Sequence, residues 1–160
     1  ALSALCEVLE QKNKLLKRIN SSYSKAINLM EEQNLELLND ELEAQNEVFA
    51  ELRRLNEGSA IAESDYDGIR EKALAYIPHC GGNAQLALAL KKTADEIELY
   101  KRLLRNCRTL NEKLVALASE KKAESERHIA ASKNRKMINS GYNMRYGPQK
   151  GGLIDYKSTR

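Results

Sequence analysis

The side chains with the greatest chemical potential in this sequence are two histidines and three cysteines, and their spacing works against it. His79 and Cys80 are adjacent, Cys107 and His128 stand far downstream, and Cys6 stands far upstream. A zinc site needs closely paired ligands, and no CxxC, HxxxH or HExxH pattern occurs. Cys107 falls on an apolar stripe, where a thiol behaves as a small hydrophobe. His79 reads as a loop residue and His128 as a solvated side chain on a polar helix. Acid–base catalysis needs carboxylates that converge in a pocket. The acids here, such as Glu31-Glu32 and Asp95-Glu96-Glu98, are spread among Lys and Arg along helix faces. The glycine pairs 81–82 and 151–152 lack a phosphate-loop or dinucleotide pattern. No serine sits in a nucleophile elbow. The expectation is a protein without catalysis, metal or cofactor.

The elements that carry these residues read as long helices. Leu, Ala, Glu, Lys, Asn and Arg dominate the 160 residues, aromatic residues make up 5%, and only Pro78 and Pro148 interrupt. Leu2, Leu5, Leu9, Leu16, Ile19, Tyr23, Ala26 and Met30 recur at steps of three and four, with Lys12 as the one interruption. A second stripe runs through Leu35, Leu38, Leu42, Phe49 and Leu52. The five-residue step from Met30 to Leu35 breaks the phase and predicts a turn or hinge near Glu31–Asn34. Gly58 stops the second helix. Ser64-Asp65-Tyr66-Asp67 resembles a capping box opening a short helix that buries Tyr66, Ile69, Ala73 and Ile77. Pro78, Gly81 and Gly82 make a loop, with Asn83 as the next N-cap.

The last helix runs from about Ala84 to Asn139. Its apolar positions thin sharply after Ala118, so it is expected to outrun the helices that support its first half. The fold class expected is all-α, an elongated antiparallel helical bundle or coiled coil with long N- and C-terminal helices. Its helices are placed at 2–31, 34–57, 65–77 and 84–139. Residues 140–160, with four glycines and Tyr142, Tyr146 and Tyr156, read as a flexible basic tail.

Charge divides the chain. Residues 1–80 hold 9 Lys/Arg against 15 Asp/Glu, and residues 81–160 hold 17 against 8. Acidic early helices packed beside basic later ones account for this, and so does a basic end that meets an acidic partner. The basic end lacks a recognisable nucleic-acid module, so nucleic acid is not expected as a partner. Nothing reads as a membrane span or a signal peptide. An odd, scattered cysteine set fits a reducing compartment, so the location expected is cytoplasmic.

Several of these features together resemble the FlgN family of flagellar type III export chaperones. They are the leucine-rich first helix, the break at Glu31-Glu32-Gln33-Asn34, the Leu- and Glu-rich second helix, and the stretch from Leu103 to Leu114. The most specific is Tyr146-Gly147 followed by Gln149-Lys150-Gly151-Gly152. Arg145 departs from the pattern, which would favour an apolar residue before the tyrosine. The resemblance implies a cytoplasmic chaperone that binds C-terminal helices of hook–filament junction proteins. It would deliver them to the cytoplasmic domain of the export gate. It places the client surface on the last helix beyond Ala118 and in the tail, with Leu117, Ala118, Ile129, Met137 and Ile138 as contacts. It assigns gate binding to Tyr146 and Gly147. The competing reading is a structural coiled-coil scaffold or adaptor that self-associates through the heptads of residues 2–30.

Overall fold

A computed structural model describes residues 2–145, with side chains through Ser140. These residues form an all-α helical bundle. The four helices are α1 (Leu2–Glu31), α2 (Leu35–Glu57), α3 (Tyr66–Tyr76) and α4 (Ala84–Arg145). Single 3-10 turns at Glu63–Asp65 and Ile77–His79 flank α3. No strand occurs among the described residues. The described residues fall into two units that divide between Ala118 and Ser119.

The helix ends follow local chemistry. At the expected break after Glu31, Gln33 takes a left-handed conformation with φ 59°. Asn34 then caps α2 by accepting a hydrogen bond from the Leu37 amide at 3.3 Å. Asn83 caps α4 in the same way, accepting from the Leu86 amide at 3.0 Å. The capping box expected at Ser64 does not form: Asp65 is the N-cap residue and makes no side-chain cap bond. A 3-10 turn delivers the chain into α3 instead, its last amide, that of Asp65, donating to the Ala62 carbonyl at 3.0 Å. The segment expected to become irregular at 140 stays helical through Arg145. A lone glycine at 141 costs only about 1 kcal/mol in a helix, too little to end one. The rest of the expected tail, residues 146–160, lies outside the described residues.

Within residues 1–118 the register is readable from polar contacts. Asn13 Nδ2 donates to the Glu96 carbonyl at 3.0 Å, and Asn20 Nδ2 to the Leu103 carbonyl at 3.1 Å. Partner numbers rise together, so α1 and α4 run parallel with an offset of 83 residues. Partner numbers fall between α1 and α2, where Arg18 meets Glu51 and Lys25 meets Glu41. They fall between α3 and α4 too, where Asp67 meets Lys101 and Arg70 meets Glu98. Each helix pair that is consecutive in these contacts is antiparallel, as expected, while the first and last helices are parallel. α2 and α3 act in succession as the third helix against the α1/α4 pair. α2 meets α1 at Arg18 and Lys25, and α3 reaches it at Lys12.

The core follows the α1 stripe. Leu5, Leu9, Leu16, Ile19, Tyr23 and Ala26 are buried, joined by Leu15 and Leu29. They pack with Leu38, Val48 and Leu52 of α2, Tyr66 of α3, and Ile97, Tyr100, Cys107 and Leu114 of α4. One stripe leucine departs from expectation: Leu35, the first residue of α2, is 69% exposed.

Candidate protein-binding surfaces

Where burial of α4 stops follows from register. An offset of 83 residues sets Glu31, the last residue of α1, level with Leu114. Through Ser140, Leu114 is the last buried residue on α4, and Leu117 packs partly against the same core. Val115, beside them, is 57% exposed. α4 therefore loses its burial where α1 and α2 turn back on each other.

Residues 119–140 have a different character. Only Lys121 and Ala123 are half-buried, and every other residue is exposed. The three-and-four spacing that carried Tyr100, Leu104, Cys107, Leu110, Leu114 and Leu117 next meets Lys121, Glu124 and His128. Lys121 pairs with Glu124 at 3.6 Å, and the His128 ring lies 4.0 Å from the same carboxylate. Apolar side chains persist, with Ile129 53%, Met137 69% and Ile138 64% exposed. From Arg127 to Ser140 the helix carries Arg127, Lys133, Arg135 and Lys136 and no acid.

The residues expected to bind a client separate into groups. Leu117 belongs to the edge of the core and Ala118 is exposed beside it. Ile129 and Met137 stand about 80° apart around the helix and can share a face, whereas Ile138 lies about 180° from Ile129. Tyr146 and Gly147, expected to bind the export gate, lie outside the described residues.

The polar interior was less legible. Asn13 and Asn20 are buried, and each spends its amide N–H₂ on an α4 carbonyl while its own oxygen accepts nothing. Their signal was present as two asparagines one heptad apart beside a leucine stripe. Lys12 is 1% exposed and donates to the Tyr66 hydroxyl at 2.9 Å. Its ammonium lies 5.5 and 5.8 Å from the ring centroids of Tyr66 and Tyr100. The two rings meet edge to face at 5.5 Å. Tyr100 donates to Glu63, and burial together with that carboxylate pushes its hydroxyl far above the usual tyrosine range.

Burial raises the thiol pKa of Cys107, and burial is also the main reason that of Cys6 is raised. Among the described residues no three His, Cys, Asp or Glu side chains gather as a metal site. Nor is any helix there long and apolar enough to cross a membrane. No family model, no curated protein and no solved structure matches the chain.

Proposed function

We propose that this protein is a cytoplasmic export chaperone of the flagellar type III kind, one that holds the amphipathic C-terminal helices of hook–filament junction proteins. The observation that carries the reading is α4 from Ser119 onward. It keeps its helix without a core of its own and leaves Ile129, Met137 and Ile138 uncovered. An uncovered apolar side chain on a helix is a ready contact for a second helix. The client proposed has an apolar face with nowhere to bury until it assembles. Pairing along a narrow, charge-rich helix gives contact that is easily released, because little dry area forms and charged neighbours stay hydrated. The resemblance in element order and the Tyr146-Gly147 dipeptide supply the flagellar assignment, with that dipeptide meeting the export gate.

The test is co-purification with a hook–filament junction protein. Removing residues 119–160 is expected to abolish capture while the bundle of residues 1–118 keeps its helical signal and melting temperature within a few degrees. Capture that survives the truncation excludes this surface. Tyr146→Ala is expected to weaken binding to the gate domain and leave client capture intact.

A further inference from the structure

α3 is the least anchored helix of the bundle. Of its 11 residues only Tyr66 and Ala73 are buried, while Leu74 and Tyr76 are 40% and 55% exposed. A free helix of that length does not hold in water, so α3 depends on its few tertiary contacts. On its far side the chain turns through Gly81 and Gly82 at φ 56° and 86°, which gives it a tight, separate exit. Its ion pairs, Asp67 to Lys101 and Arg70 to Glu98, involve partly exposed side chains and add little.

Its deep anchor is Tyr66, 2% exposed, and that anchor sits on a buried charge. Among the described residues Lys12 has no carboxylate partner, and its ammonium is held by one hydroxyl and two ring faces. A buried ammonium is tolerated only while those contacts are kept, and water solvates it better. Opening α3 exposes Tyr66 and Ala73 and lifts the half-buried Ile69 off the core, and in exchange it hydrates Lys12. No other helix among the described residues buries so few side chains. We propose that α3 is a strap that opens as a unit from the α1/α4 pair, with Lys12 setting the strength of its latch. The strap and its latch comprise residues 12, 66–79 and 100, none of which belongs to the client surface on α4.

Hydrogen exchange of the full chain, read by mass spectrometry, tests it. Amides of residues 68–79 are expected to exchange together, on the order of a hundredfold faster than those of the α1 core from Leu9 to Ile27. Tyr66→Phe keeps the ring and removes the oxygen from Lys12, and it is expected to speed α3 exchange about tenfold while α1 is unchanged. Lys12→Met combined with Tyr66→Phe removes charge and hydroxyl together, and it is expected to return α3 to the wild-type rate or slower. Equal protection of α3 and α1 in the wild type overturns the proposal. So does equal acceleration of α1 and α3 by Tyr66→Phe, which would make Tyr66 part of the global core. A double variant that stays as fast as Tyr66→Phe overturns the role of Lys12.

Discussion

Residues 84–118 and residues 119–145 belong to one helix, and both are rich in Lys, Glu, Ala and Arg, but leucine is frequent in the first and absent from the second, and among residues with described side chains only the first stretch has a buried side. In the first, Ala94, Ile97 and Tyr100 are 2%, 0% and 2% exposed. In the second, no side chain through Ser140 is buried. The contrast separates two properties that are easily confused. Helix formation is local and needs only good formers without proline. Burial needs a partner, and α1 supplies one only as far as Glu31, opposite Leu114.

The largest test of this contrast compares two isoleucines. Ile19→Ala, at a fully buried position in α1, is expected to cost about 2–5 kcal/mol in urea unfolding. Ile129→Ala, 53% exposed, is expected to stay within about 0.5 kcal/mol. Comparable losses would mean that residues 119–140 are folded against something. A smaller effect addresses register. Asn20→Ala removes the hydrogen bond to the Leu103 carbonyl and is expected to cost roughly 1 kcal/mol. No change in the urea midpoint would show that apolar packing alone fixes the α1/α4 offset.

The smallest effect concerns charge between α1 and α2. The Lys25 ammonium, donating to Glu41, is the main cause that holds that carboxyl below its ordinary range. A depressed carboxylate stabilises the fold fully above its unfolded value of about 4.3. That contribution fades as pH falls through the lower folded value. The gap between wild type and Glu41→Gln, at most about 1 kcal/mol, should be complete at pH 7. It should close as pH drops below about 4. Thermal melts across that range decide it, and a gap that persists undiminished at the acid end rejects the pair as its source.

Much of the architecture was legible because helical periodicity is a local signal. The Leu5–Ala26 stripe, the break after Glu31 and the Asn83 cap need only neighbours within a turn or two. Lys12 was visible as an interruption of the stripe, but its meaning was not, because its partner Tyr66 stands 54 residues away. The same holds for Asn13 and Asn20, whose acceptors are 83 residues downstream. On the candidate surface, the thinning of apolar residues after Ala118 marked where burial would cease. That Ile129 and Ile138 point to opposite sides follows from the helix continuing unbroken between them.

The sequence by itself determined that this protein is helical, where most of the helices begin and end, and which side of α1 is buried. Those properties depend on propensity, capping and a spacing of three and four, all carried by residues close in the chain. Only the tertiary structure decided that α1 and α4 are parallel and that α2 and α3 share the place of a third helix. It also decided that a lysine could be buried between two tyrosines. Those outcomes turn on long-range pairing, where many registers satisfy the same stripe of leucines and a few polar contacts select among them.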